Sequence, residues 1–309
     1  MNKLCGSGVK ALEMAWQSII LGEAETIMVV GSENMSRVPY LLMNHRDGVR
    51  MGPQTLEDSL FYDGFTCPFT FEHMGITAEN VAERFGISRA EQDEFACRSQ
   101  QLAVKAQSDG IFAREILPVE MPARKGSLVI VDKDECPRAD ATLERLGVLK
   151  PAFKPGGTVT AGNACALADG AAALLVMSEE GARKRGLEIM ARIRGFASVG
   201  IEPEIMGFAP APAVKKLLKK TGLSIDDIDI MELNEAFAAQ AVAVVKHLGI
   251  PLDRVNPNGG AIALGHPVGA SGVRLVLTLA HELRNRGLGR GIAALCIGGG
   301  QGIAIMVEV

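Results

Sequence analysis

Apolar residues at Val9, Leu12, Trp16, Ile19 and Ile20 fall at helical spacing and predict a helix from just after Cys5 to about Leu21, closed by Gly22. Thr26-Ile27-Met28-Val29-Val30 follows as a short buried strand ending at Gly31, half of an α/β unit. Residues 1–4 read as the end of a strand leading into the cysteine. From residue 36 to about 150 the pattern loosens, and Asp47-Gly48, Gly52-Pro53 and Asp63-Gly64 mark loops. Two helices interrupt this block, over residues 77–85 and 88–108, the second opened by Ser88 and Glu91 at capping-box spacing. The block reads as an insertion laid over the sheets.

Strand composition returns at Ala172, Leu174, Leu175 and Val176, and again over residues 191–196. Pro212 predicts the first turn of a helix that Thr221-Gly222 closes. Residues 228–233 predict a strand feeding a helix from Glu235 to about Leu248. A further helix is expected from about Ala270 to Arg286, and residues 292–297 and 303–309 form a last strand pair around Gly298-Gly299-Gly300-Gln301-Gly302. One internal echo spans the chain. Ser7-Gly8-Val9-Lys10, then helix, then strand, reappears as Ser271-Gly272-Val273-Arg274, then helix, then strand. Such self-similarity points to two related α/β domains.

A chain of 309 residues with 22% charged and 48% apolar residues has a soluble globular composition and room for two domains. Its net charge of −4 supplies no basic field, which argues against a nucleic-acid partner. The six cysteines are scattered without a C-x-x-C pair, as expected of free thiols in a reducing compartment. No run approaches ~18 consecutive apolar residues, so no membrane span is expected. The N-terminus lacks a signal pattern, and the expected location is cytoplasmic.

Four segments stand where a strand or loop meets a helix or hairpin: Cys5-Gly6-Ser7-Gly8, Asn234-Glu235-Ala236-Phe237, Gly265-His266-Pro267 and Cys296-Ile297-Gly298-Gly299-Gly300. In open α/β sheets ligands bind at such junctions. Cys5 before a helix N-terminus has the surroundings that lower a thiol pKa, though a small apolar residue in a tight turn would look the same. Asn234 could equally cap the next helix, His266 sit in a turn, Cys296 fill core, and the glycines shape a hairpin. No His/Cys pair has metal-ligand spacing, and there is no Walker or G-x-G-x-x-G loop.

Taken together, these segments resemble the thiolase family, nearest its acetyl-CoA acetyltransferase branch. The resemblance covers nearly the whole chain. It rests also on His73-Met74-Gly75-Ile76-Thr77-Ala78-Glu79-Asn80, Thr158-Val159-Thr160-Ala161-Gly162-Asn163-Ala164 and Asn258-Gly259-Gly260-Ala261-Ile262-Ala263-Leu264. It implies a layered αβαβα fold of two related α/β domains with an inserted loop domain. The expected N-terminal thiolase domain comprises residues 1–35 and 151–185, the loop domain residues 36–150, and the C-terminal thiolase domain residues 186–309.

The family exchanges acyl groups between coenzyme A thioesters, so CoA, acetyl-CoA and acetoacetyl-CoA are the implied partners, with no bound cofactor or metal. By resemblance Cys5 is the acyl-carrying nucleophile, His266 its base, and Cys296 the group that moves the α-carbon proton. Asn234, through a water, and His266 match the site for the enolate oxygen. The N–H groups of Cys5 and Gly298 match the oxyanion site, where losing one donor costs about 3–4 kcal/mol. His73, Met74, Phe153, Ala161, Phe237 and Arg138 match positions toward the acyl group, pantetheine or nucleotide. Cys165 stands where the family usually has a serine that bonds the pantetheine arm, and a thiol is the weaker donor.

Family members carry on the order of eighty more residues before the nucleophile, so the expectation is an N-terminally truncated chain with its first domain incomplete. As a full-length protein it would be a homodimer or homotetramer. The expected reaction is cleavage of acetoacetyl-CoA or condensation of two acetyl-CoA. The alternatives are a longer-chain 3-ketoacyl-CoA thiolase and an inactive fragment.

Overall fold

Two long helices with matching sequences cross at the centre of the protein, and the rest of the chain is arranged around them. A computed structural model describes residues 1–123 and 126–309. In chain order, α1 (Ser7–Ile20) precedes β1 (Thr26–Glu33); the insertion then carries the hairpin β2 (Tyr40–Leu42) and β3 (Leu56–Asp58), α2 (Met74–Phe85) and α3 (Arg89–Ser108). A second hairpin, β4 (Val119–Pro122) with β5 (Leu128–Val131), and α4 (Leu143–Gly147) complete it. The chain continues through β6 (Gly170–Met177), α5 (Glu179–Lys184), β7 (Arg192–Gly200), α6 (Pro210–Thr221) and β8 (Ile230–Leu233). It ends with α7 (Ala238–Leu248), α8 (Ala261–Leu264), α9 (Val268–Arg286), β9 (Arg290–Ile297) and β10 (Gln301–Glu308).

β1 and β6 pair antiparallel, and a four-stranded sheet runs in the order β7-β10-β9-β8 with only β8 parallel to its neighbour. α1 and α9 fill the space between the two sheets, and α6 and α7 cover the far face of the larger one. Val9, Leu12 and Ala15 of α1 and Val273, Val276 and Leu279 of α9 join Ile297, Ile303 and Ile305 in one buried cluster. This is the periodic stripe read from the sequence, buried on both sides. The outward face of the small sheet leaves Met28, Val30 and Leu175 exposed. No helix among the described residues is long and apolar enough to cross a membrane.

The echo between the two halves is a contact. Gly8 and Gly272 meet where α1 crosses α9, and a Cβ on Gly8 would lie 2.5 Å from Val273 N, one on Gly272 2.6 Å from Val9 N. Three expectations shift. No strand forms before Cys5, because Leu4–Gly6 is a 3-10 turn with Leu4 at φ 50°. The helix expected at Glu235 starts at Ala238, since the 234–237 segment is held extended: Ala236 O accepts from Cys165 N and Phe237 bridges Ala164. α6 begins at Pro210, two residues before Pro212, as the continuation of the 3-10 stretch Pro203–Phe208. The Ser88/Glu91 capping box forms as read.

Candidate active site

Cys5 owes its position to a turn locked from both sides. Ser7 Oγ accepts from Lys3 N at 2.8 Å and donates to Leu4 O at 2.7 Å, while Lys3 Nζ reaches Gln301 at 2.6 Å. Gly6 packs closely on β9: a Cβ there would stand 2.3 Å from Ile297 Cδ1, and that side chain would have to shift. The Gly298 N–H points at the Cys5 sulfur and favours the thiolate, yet withdrawal from water dominates and pushes the thiol up to about 11. The expectation that the helix N-terminus lowers this pKa is therefore reversed by burial.

His266 lies in the linker between α8 and α9, tied by its N–H to Ala166 O at 3.0 Å. Its Nδ1 is 2.6 Å from Ser271 Oγ, whose own proton goes to Pro267 O at 2.9 Å. The hydroxyl therefore accepts from the imidazole, and Nε2 is left with its lone pair. Asn234 Nδ2 stands 3.3 Å from that Nε2, and Asn234 Oδ1 is buried with no hydrogen-bond partner among the described residues. Burial, then the Arg274 charge, holds His266 down to about 4. At neutral pH both the Cys5 thiol and the His266 imidazole are therefore uncharged.

Cys296, next to last in β9, has no exposure at all, and burial pushes its thiol well above the usual range, with Cys5 and Cys165 adding to the rise. Cys165 is raised to about 12, by burial first and then by Cys5. Cys5, Cys165, Cys296, His266 and Gly298 all line one cavity of about 610 Å³, walled further by Met74, Phe237 and Met206. Asn234 lies directly behind it, against His266.

Buried carboxylates hold the segments that carry these groups. Glu235 accepts from Ser99 Oγ at 2.6 Å, Asn256 Nδ2 at 2.7 Å and Ile262 N at 3.1 Å, joining α3, the Asn256 loop and α8 behind Asn234. Glu79 of α2 accepts from the N–H groups of Thr158 and Val159, both at 2.9 Å. Asn163 closes the following turn through Thr160 N at 2.8 Å and Asp93 at 2.9 Å, which sets Cys165 at the cavity wall.

The remaining expected residues separate into two groups. Met74 and Phe237 line the cavity. His73 caps α2 through Nδ1 and stacks on Phe153 at 4.9 Å, and Phe153 meets Phe237 edge-on at 6.1 Å, so His73 and Phe153 stand behind Phe237 without lining the cavity themselves. Ala161 is exposed in the 160–163 turn, and Arg138 is fixed by its N–H to Gln100 at 2.8 Å; neither lines the cavity. Ser271 and Arg274 were not among the expected residues. The echo of Ser7 and Lys10 in Ser271 and Arg274 is the signal the sequence carries for the two.

Residues 1–180 match the thiolase N-terminal domain and residues 187–309 the thiolase C-terminal domain. The chain belongs to the thiolase family. A Staphylococcus aureus relative named probable acetyl-CoA acyltransferase is 53% identical over 308 residues, which cover 100% of this chain and 78% of the relative. The acetyl-CoA acetyltransferase of Bacillus anthracis superposes with a TM-score of 0.96 at 46% identity, covering 100% of this thiolase and 78% of that chain. The human mitochondrial 3-ketoacyl-CoA thiolase solved with CoA gives 0.95 at 44%, over 100% and 77%.

Proposed function

We propose that this thiolase is an acetyl-CoA C-acetyltransferase that works through an acyl-cysteine. The observation that carries the reading is the meeting of Cys5, His266 and Cys296 on one cavity, with Ser271 at Nδ1 leaving the His266 lone pair on Nε2, beside Asn234. In this reading Nε2 takes the Cys5 proton as the sulfur attacks the thioester carbonyl, and CoA leaves as the thiol with the proton of Cys296, which is left as the thiolate. The N–H groups of Cys5 and Gly298 receive the oxygen of the tetrahedral intermediate. A second acetyl-CoA then enters, and Cys296 takes a proton from its α-carbon. The enolate oxygen is held by protonated His266 and a water on Asn234, and the carbanion attacks the acyl-cysteine. Cleavage of acetoacetyl-CoA runs the same steps in reverse.

Met74 at the cavity wall and the His73–Phe153–Phe237 row beside it favour a short acyl group. The expected result is a kcat/KM for acetoacetyl-CoA at least about tenfold above that for a medium-chain 3-ketoacyl-CoA, a difference of some 1.4 kcal/mol in transition-state binding. The opposite order would assign the chain to the longer-chain branch, to which the 44% identical human enzyme belongs by name.

The pH dependence of acylation follows from the two titrations. Protonation of His266, with its value near 4, removes the acceptor for the Cys5 proton, so the rate falls as pH drops through that value. The Cys5 thiol near 11 adds no break at neutral pH. Single-turnover acylation should therefore be flat between about pH 6 and 9. A midpoint near 6.5, the ordinary imidazole value, would contradict the burial of His266.

A further inference from the structure

Two charged side chains lie beneath the Asn234–His266 contact and have no part in the chemistry above. Glu232 stands on β8 two residues before Asn234, so both side chains leave the same face of the chain. Arg274 stands on α9 one turn beyond Ser271, with Nη1 3.7 Å from Glu232 Oε2. Asn234–His266 at 3.3 Å and Glu232–Arg274 at 3.7 Å are thus adjacent rungs joining β8 and its extension to α9 and the turn before it.

The lower rung is an expensive one. Glu232 is 0% exposed, neither of its oxygens has a hydrogen-bond partner among the described residues, and both terminal nitrogens of Arg274 are buried without one. Ion pairs of this kind are commonly replaced by apolar side chains with no loss of stability. Nor does the fold's internal repeat require it. The matching residue of α1 is Lys10, which pairs with Glu13 along its own helix.

We propose that Arg274, seated beside Glu232 and one turn beyond Ser271, is a positioning residue for His266: its positive charge adds to burial in disfavouring protonation of the ring that Ser271 and Asn234 hold. The proposal rests on His266 being the base. The groups facing the guanidinium are Glu232, Glu235 behind it, Glu115 beyond the turn Phe112–Arg114, and Asp134 after β5. Glu282 approaches Glu115 and Glu232 from farther along α9, Thr278 of α9 donates to Glu115 at 3.0 Å, and Glu33 of β1 accepts from Gly269 N at 3.0 Å. Burial pushes Glu232 up to about 8 and Glu115 to about 7. At 3.7 Å Glu232 gives the Arg274 guanidinium no hydrogen bond, and both of its terminal nitrogens are left unpartnered among the described residues.

The test compares the charge-free double variant Glu232→Leu/Arg274→Met with Arg274→Lys, each carrying ¹³C-labelled histidine. The His266 resonance, assigned by its loss in His266→Asn, is followed against pH alongside single-turnover acylation. In the double variant His266 should titrate about one pH unit higher, and acylation at pH 5 relative to pH 8 should drop several-fold, whereas Arg274→Lys should restore both. Where the double variant does not fold, Arg274→Gln gives the same two readouts. An unchanged His266 titration in a folded charge-free variant overturns the proposal. A shifted titration with unchanged acylation supports the role of Arg274 and overturns instead the reading of His266 as base.

Discussion

Cys5→Ala protein mixed with acetyl-CoA is expected to gain no acetyl mass, while the unaltered chain gains one acetyl group, and turnover should fall by roughly 10⁴-fold or more. The prediction is sharp because three thiols share the cavity and only one is suited to attack. Cys5 is raised to about 11 and Cys165 to about 12, and burial pushes Cys296 well above the usual thiol range. The Gly298 N–H stabilises negative charge on Cys5. Ionised Cys5 in turn raises both neighbours, so a second thiolate is opposed while the first exists. An acetyl group found on Cys165 or Cys296 of Cys5→Ala would move the nucleophile to that residue. Cys5→Ser keeps the size of the side chain and should also fail to turn over, because a hydroxyl needs far more help from the base than a thiol does.

Cys296 has a different duty in this reading, and its environment fits. A group that exchanges a proton with carbon has to return to its neutral form in each cycle, and a fully buried thiol held well above the usual range does so readily. The same burial that makes it a poor attacking thiolate makes it a strong base once ionised.

How much of this could be read in advance depends on where the forces come from. The helices and the main strands are legible because burial on a fixed side prints its period on the chain, as in Val9, Leu12 and Ala15 of α1. The Ser88/Glu91 cap is legible because it is local. The start of α7 is not. Glu235 has good helix propensity, but its carboxylate is bonded by Ser99, Asn256 and Ile262, all distant in sequence, and the chain stays extended until Ala238. The hairpins β2–β3 and β4–β5 escape notice because their residues are mostly exposed and show no alternation. Of the proposed site, Cys5, His266, Cys296 and Asn234 are legible in motifs, whereas the role proposed for Arg274 depends on the field it exerts in a closed space, which no spacing encodes.

Gly272→Ala is expected to destabilise the protein by about 2–3 kcal/mol, and Gly272→Val by more. An alanine in the middle of a helix should by itself stabilise by about 1 kcal/mol over glycine, so the sign of the result isolates the packing effect. The packing wins because the obstacles are backbone: a Cβ on Gly272 would lie 2.6 Å from Val9 N and 3.0 Å from Gly8 Cα. A flexible side chain could swing away, but two helix backbones can only move apart. That movement reaches the chemistry directly. α1 begins two residues after Cys5, and α9 carries the Ser271 bonded to His266, so the crossing sets the spacing of the proposed nucleophile and base. A displacement of ~1 Å is enough to cost about 10²-fold in rate. Calorimetry should show a loss of roughly 4–10 °C in Tm for Gly272→Ala, accompanied by a drop in acylation rate larger than the drop in CoA binding. Gly147→Ala, where nothing lies within 4 Å of the added carbon, serves as the control and should leave both unchanged. Equal behaviour of the two variants would mean that the helices approach less closely than their matching glycines allow, and the link between the repeat and the site would be lost.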